Sequence, residues 1–340
     1  MSDSSKGPTS NNDHSKAAGV ANVAKPWKRS LVLALCLSGG AFLLGGLTNR
    51  HELFPWPEIS NAKDAIFPKE APASRYTFDS LGRLIADESK TRAECPAQTR
   101  RTAVLLLLGQ SNAANHGGNR YRSKHGGNIV NFFNGECYFA QSPLLGATGT
   151  KGEYWTQLAN LLVDANKFDQ VVLAPLAING SPVSRWAQGG DLNKQLTDVL
   201  SQLKNRGYKV TSVLWHQGEA DYIEGTSQDA YRARLTSMLD TLRQKDVQAK
   251  FFVSIASKCL EPSNGGSETH SPDNAIIRAQ LQLADDKDGD AILRGVNTDV
   301  LLDEVDRYDD CHIGGAGASK VATAWAKLLL ADRSLEAENR

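Results

Sequence analysis

Neither sign of charge is in excess in this chain: 38 lysines and arginines face 38 aspartates and glutamates, for a formal net charge of zero. That balance removes the electrostatic footprint of a nucleic-acid binder and speaks against a polyanionic or polycationic substrate. Metal-binding spacings are missing as well. His216, Glu219 and Asp221 lie close in sequence, but there is no H-E-x-x-H and no C-x-x-C, so no metal is assigned. The glycine pairs Gly189-Gly190, Gly265-Gly266 and Gly314-Gly315 fit neither a Walker loop nor a dinucleotide fingerprint, which leaves nucleotide cofactors without support. No internal repeat occurs, and no G-x-S-x-G, which argues against the nucleophile elbow of the α/β-hydrolases.

What the chain does have is enough apolar content, 41%, to bury a sizeable core over one large or two small domains. One stretch departs from the soluble pattern. Twenty residues between Arg29 and Arg50 carry no charge, with an apolar run from Leu31 to Leu47, long enough to cross a bilayer. Lys25, Lys28 and Arg29 precede it, and the positive-inside rule then places residues 1–29 in the cytoplasm as a disordered tail and sends everything after Arg50 outside. A cleaved signal peptide is the competing account. The absence of an A-x-A-like site after Leu47 and a long polar leader favour an uncleaved anchor over 30–49, with the domain that follows periplasmic or extracellular.

Cysteine is scarce, five in all, and its placement agrees with export. Cys36 falls in the apolar segment, leaving Cys95, Cys137, Cys259 and Cys311, an even number in a compartment where disulfides persist. Of the three connectivities, Cys95 with Cys137 and Cys259 with Cys311 is expected, because the latter pair follows the fourth and fifth strands proposed below.

Residues 50–98 turn to Pro, Lys and Glu, punctuated by Pro55, Pro57, Pro68, Pro72 and Pro96, as in a stalk that holds a domain off a membrane. Within it, Tyr76-Thr-Phe-Asp-Ser-Leu-Gly-Arg-Leu84 alternates around a turn and suggests a small β-hairpin packed on the main domain. Residues 99–333 are regular and form the expected main domain, followed by a short tail at 334–340. Apolar runs at Ala103–Leu108, Val171–Leu176, Val210–Trp215, Phe251–Ile255 and Ala291–Leu293 are short and bounded by turn residues, as strands buried on both faces are. Helical patterns fall at Tyr154–Ala165, Leu192–Asn205, Gln228–Lys245 and Asn274–Asp285, with a last one at Ser319–Ala331. The alternation predicts a parallel five-stranded sheet in flavodoxin-like order within a three-layer α/β/α sandwich.

In such a sheet, ligands bind beyond the carboxyl ends of the strands, and four short stretches end there with residues that ester hydrolysis needs. Ser111 follows the first strand in Leu-Gly-Gln-Ser-Asn, where Gly109 permits a sharp turn that exposes the hydroxyl. His312 is the natural base, and Asp309, three residues before it, can reach back to fix its tautomer; Asp310 is the alternative. Backbone amides of Ser111 and Gly180 and the side-chain amide of Gln217 are candidate oxyanion donors. Trp186, Tyr222 and Trp155 are candidates for stacking on a sugar.

Together, Gly109-Gln-Ser-Asn112, Asn179-Gly-Ser-Pro-Val-Ser-Arg-Trp186, Trp215-His-Gln-Gly-Glu-Ala-Asp221 and Asp309-Asp-Cys-His312 resemble the conserved blocks of the SGNH hydrolases, in the branch of sialate O-acetylesterases and carbohydrate esterase family 6. The likeness spans roughly residues 100 to 331. It implies Ser111 as nucleophile, His312 as base and Asp309 as its orienting carboxylate, with Gly180 and Gln217 at the oxyanion positions. Gln110, Asn112, His216 and Glu219 belong to the same blocks, and Glu219 would support the loop or the histidine by hydrogen bonding. The second block departs from the pattern: Asn179 stands where that branch has a glycine, and Pro182 follows Ser181.

The resulting expectation is a membrane-anchored, exported serine esterase that removes acetyl groups from carbohydrate hydroxyls, acting on an acetylated carbohydrate or polysaccharide without nucleic-acid partner or cofactor. A polysaccharide O-acetyltransferase using the same triad and a non-catalytic carbohydrate-binding domain are the two rivals.

Overall fold

A computed structural model describes residues 75–259, 270–285 and 292–332. The expected cytoplasmic tail, the apolar segment 30–49, the first part of the stalk and the tail 334–340 lie outside the described residues. Among the described residues no helix is long and apolar enough to cross a membrane.

The chain opens with an antiparallel hairpin, β1 (Tyr76–Phe78) and β2 (Leu84–Asp87), where the sequence alternates. Leu84 of this hairpin packs on Phe133 and Leu145. A short strand β3 (Arg92–Ala93) follows and joins the main sheet, pairing with β6 (Glu136–Phe139), and the Cys95–Cys137 disulfide fixes the same spot. Residues 75–98 are therefore part of the folded unit and not spacer, which corrects the domain start expected at 99.

The centre of the molecule is β4 (Thr102–Gly109), all eight residues of which are buried. β4 lies between β7 (Gln170–Ala177) and β8 (Ser212–His216), parallel to both, and β9 (Lys250–Ile255) and β10 (Ile292–Asn297) continue outward. Counted in order of appearance, the five expected strands are arranged 2-1-3-4-5, the flavodoxin-like order. Alternate side chains of β4 enter different cores. Ala103, Leu105 and Leu107 pack with helix α1 (Trp155–Asp164) and the last helix α7 (Gly315–Ala331). Val104, Leu106 and Leu108 pack with α2 (Asp191–Asn205), α4 (Gln228–Gln244) and α5 (Ala275–Asp285). Period-two burial on both faces makes the three layers, each buried leucine contributing roughly 1.5–3 kcal/mol.

The sheet is wider than expected. β5 (Ile129–Phe133) adds a parallel strand beyond β7, and β6 and β3 extend it antiparallel to eight strands. A tight turn at Asn134-Gly135, both with positive φ, joins β5 to β6. Asn-Gly tolerates the positive φ that such a two-residue hairpin turn needs. Two short helices, α3 (Glu219–Ile223) and α6 (Thr298–Leu301), cap the ends of β8 and β10. Helix α7 begins at Gly315, four residues before the expected start, because Gly317 lets its first turn lie against the Asp306 carbonyl, where a Cβ has no room.

Candidate active site

Sheet register places the first three sequence blocks at one edge. Gly109, the last residue of β4, is level with Ala177 of β7 on one side and His216 of β8 on the other. The Ser111 turn, the Asn179-Gly180 loop and the Gln217–Glu219 segment therefore leave the sheet together. Gly109 has φ +139°, and a Cβ there would run into the His216 carbonyl, which instead accepts a 3.1 Å hydrogen bond from Gln110 N–H. The chain then turns through a 3₁₀ segment, Ser111–Ala113, in which all three residues are buried. Trp155 props this turn, its indole N–H donating to the Ala113 carbonyl at 2.8 Å.

The fourth block has no strand of its own. It occupies the loop between α6 and α7, where Asp309 Oδ2 lies 2.9 Å from His312 Nδ1 and Asp309 Oδ1 accepts from the Cys311 and His312 backbone amides. The ring meets Asp309 and not Asp310. Burial pushes the Asp309 carboxyl up, but the hydrogen bonds from His312 and Cys311 outweigh it and hold its pKa below the usual value. An ionised carboxylate only accepts, so the proton of this contact sits on His312 Nδ1. The ring is bracketed by His116 at 5.6 Å and Tyr308 at 5.8 Å, both near parallel.

Asn112 ties the two halves together: its amide donates to the Cys311 carbonyl at 3.2 Å and its oxygen accepts from Ile313 N–H at 3.1 Å. These groups flank His312, so the histidine loop is pinned to the turn that carries Ser111. No hydrogen bond joins Ser111 Oγ to His312 Nε2, which has no partner among the described residues. Catalytic hydrogen bonds in unliganded sites are often long and tighten with substrate. Neither Ser111 N–H nor Gly180 N–H donates to a protein acceptor among the described residues. Gly180 is exposed at φ +61°, with open space where a Cβ would be. Asn179, the departure in the second block, keeps its place by donating its backbone N–H to Thr148 Oγ1 at 2.8 Å.

Gln217 does not fit its expected role. It is fully buried, and its amide nitrogen already faces Asp221 Oδ2 at 2.6 Å, Gln110 Oε1 at 3.2 Å and the Ser181 carbonyl at 3.2 Å. Two N–H bonds facing three acceptors leave none for an oxyanion. Gln217 instead knits the blocks, helped by Asp221, which also accepts from Val183 N–H at 2.7 Å. The sugar-stacking assignments change for the same reason. Trp155 and Trp186 are completely buried, the latter donating to Ser181 Oγ at 3.1 Å, and both hold up the site from within. Tyr222 is half-buried against the His270 ring.

Behind the loop lie further groups, of which Tyr154 and Arg307 were announced by no motif. His216 accepts from or donates to the Tyr154 hydroxyl at 2.6 Å, and burial pushes its pKa down to about 3, so it is a neutral prop. Arg307 is buried and donates to the Cys311 carbonyl, with Glu219, Asp299, Asp309 and Asp306 supplying the negative charge around it. The Cys259–Cys311 disulfide ties the same loop to the end of β9. Both expected cystine pairs are present.

Residues 101–330, more than half of the chain, match the profile of the family described as carbohydrate esterase, sialic acid-specific acetylesterase. No curated protein matches the chain. Among solved structures, a protein from Arabidopsis thaliana superposes with TM-score 0.51 at 17% identity, covering 68% of this chain and 98% of the plant protein, a likeness of fold. A carbohydrate acetylesterase from Xanthomonas citri gives TM-score 0.44 at 16% identity over 69% of this chain and 57% of that one. A Clostridium thermocellum family 3 carbohydrate esterase gives 0.44 at 14% identity over 70% and 98%.

Proposed function

The chain belongs to the carbohydrate esterase, sialic acid-specific acetylesterase family and is a carboxylic ester hydrolase, and from that premise we propose that it removes acetyl groups from sugar hydroxyls through an acyl-enzyme on Ser111. The observation that carries this reading is the Asp309–His312 contact, which leaves Nε2 as an acceptor in a loop pinned to the Ser111 turn. Ser111 Oγ attacks the acetyl carbonyl carbon and passes its proton to His312 Nε2. The negative charge that develops on the carbonyl oxygen is met by the amides of Ser111 and Gly180. His312 then protonates the departing sugar oxygen, and a water, deprotonated by the same nitrogen, releases acetate and restores Ser111. Asp309 keeps the imidazole in the required tautomer throughout.

Anchoring belongs to the same proposal: the uncharged segment 30–49 with its basic flank supports a single-pass topology with the esterase outside the cytoplasm. The test of the chemistry is a fluorophosphonate probe with the adduct located by mass spectrometry, beside acetate release from acetylated sugars. Labelling at Ser111, and a loss of turnover of about ten-thousand-fold or more in Ser111→Ala, is expected. Labelling elsewhere, or turnover surviving in Ser111→Ala, would remove the serine from the mechanism.

A further inference from the structure

We propose that Asn112 is the positioning residue that sets the approach of base to nucleophile, with Glu219 dictating which way its amide faces. The inference rests on the roles given above to Ser111 and His312. Asn112 is 5% exposed, and every heavy polar atom of its side chain is engaged. Nδ2 donates to Glu219 Oε1 at 2.7 Å and to the Cys311 carbonyl at 3.2 Å, and Oδ1 accepts from Ile313 N–H at 3.1 Å. One planar amide thereby grips the peptide group before His312 and the one after it. Its own backbone adjoins Ser111, so a single rigid side chain spans the distance between the two reacting residues.

The grip works in one orientation. Turning the amide over would set Oδ1 against a carboxylate and a carbonyl, and would set the NH₂ group against the Ile313 N–H. Glu219 is 1% exposed and acts only as an acceptor when ionised, so it forbids that flip. Other contacts hold the loop, but from elsewhere. Arg307 belongs to the loop itself, and Cys259 reaches it from the end of β9. Gly118 N–H donates to the Ile313 carbonyl at 2.9 Å and the Tyr308 hydroxyl to the His116 carbonyl at 2.7 Å, both farther along the chain than the Ser111 turn. Asn112 alone among these adjoins the nucleophile.

The experiment compares Asn112→Ala, Asn112→Asp and Asn112→Asp/Glu219→Gln with Ser111→Ala in the full chain. Aryl acetate kinetics, the rate of fluorophosphonate labelling and thermal unfolding are read for each. For Asn112→Ala the expected result is a kcat about 100-fold lower with KM within about threefold, and a labelling rate that falls in step, because a misplaced base no longer activates Ser111. In Asn112→Asp a carboxylate faces a carboxylate, and the fall is at least as large. Adding Glu219→Gln restores an amide opposite a carboxylate and recovers about tenfold of kcat, an interaction that simple loss of packing does not give. Should Asn112→Asp not fold, Asn112→Ala, Glu219→Ala and their combination replace it, the double variant being no slower than the worse single one. A folded Asn112→Ala with kcat within about threefold of wild type, or single effects that multiply in the double variant, would overturn the proposal. Turnover in Ser111→Ala would instead overturn the reading beneath it.

Discussion

Ser111 stands two residues beyond a strand buried along its whole length, whose last glycine is in register with a neighbour on each side. His312 stands in a loop whose strand pairing, among the described residues, is one isolated bridge between Arg307 and Ile313. Ser111 is placed by backbone hydrogen bonds and by the absence of a Cβ at Gly109, His312 chiefly by side chains: Asp309 at its ring, Asn112 and Arg307 at its flanking peptide, a cystine at its shoulder. A turn built by a sheet changes only if the sheet does, whereas a loop held by side chains can be loosened one contact at a time. Substitutions on the loop should therefore cut activity before stability, whereas loss of what supports the turn from within the fold, as at Gly109 or Trp155, should cost stability first.

The largest effect should come from Asp309→Asn. An amide in place of the carboxylate can donate to Nδ1, which moves the imidazole proton to Nε2 and leaves no lone pair for the Ser111 proton. Loss in kcat on the order of ten-thousand-fold is expected, with folding intact, as measured by steady-state hydrolysis beside thermal unfolding. A loss below about tenfold would mean that the carboxylate is not what fixes the ring.

The two cystines give the next test, because they close loops of similar length, with sequence separations of 42 and 52, in different regions. Chain-entropy arguments assign each roughly 4 kcal/mol of stability. Replacing either pair by serines should lower the denaturation midpoint by comparable amounts. Only the Cys259/Cys311 double variant should also lower kcat under conditions where the protein is folded, since Cys311 adjoins His312 while Cys95 and Cys137 hold the far edge of the sheet. Equal kinetic effects from both would erase the distinction between turn and loop.

The contrast also explains what the sequence could show. Strands of the central sheet were legible because burial on both faces forces unbroken apolar runs such as Ala103–Leu108, and the blocks at their ends carry types and spacings that few folds need. β5 was missed because Asn131 interrupts its run; the side chain is wholly buried and exchanges hydrogen bonds with the backbone of Leu145. Gln217 was misread because a motif gives a residue's position but not the acceptors around it. Tyr154 and His116 left no pattern, since each acts through a partner far away in sequence, and Arg307 none because an arginine four residues before the carbonyl it holds matches no motif. Trp155 and Trp186 looked like sugar platforms because aromatic residues near a site carry no mark that separates a core prop from a binding face.

Acidification should separate the regions further. Burial, then the positive charge of Arg307, pushes His216 down to about 3, with Asp299 opposing. Burial, then His312 and Lys151, pushes His116 down to about 4. Both values lie below the ordinary imidazole value near 6.5, so between them the unfolded chain binds protons that the folded chain refuses. Stability from these groups is whole above about pH 6.5 and is lost as pH falls towards 4 for His116 and 3 for His216. Thermal midpoints followed across this range should flatten more in His216→Gln, at the sheet edge, than in His116→Gln, at the loop, because the first ring is fully buried and the second is not. Identical slopes in both variants and wild type would assign the acid loss to other groups.

The smallest expected effect belongs to the ring bracket. Tyr308 is 41% exposed, covers one face of His312 and donates its hydroxyl to the His116 carbonyl at 2.7 Å. Lys151 Nζ also lies over the Tyr308 ring, 4.1 Å from its centroid. Tyr308→Phe removes one partly solvated hydrogen bond and should cost about 1 kcal/mol or less. Tyr308→Ala also takes away the surface that keeps the imidazole in plane, yet Asp309 still holds Nδ1 and Asn112 still holds both neighbouring peptides. A fall in kcat of only a few-fold is therefore expected, read against unchanged KM for an aryl acetate. A fall approaching that of Asp309→Asn would show that stacking, and not hydrogen bonding, is what aims the base, and the loop would then depend on its surface and not on its buried amide.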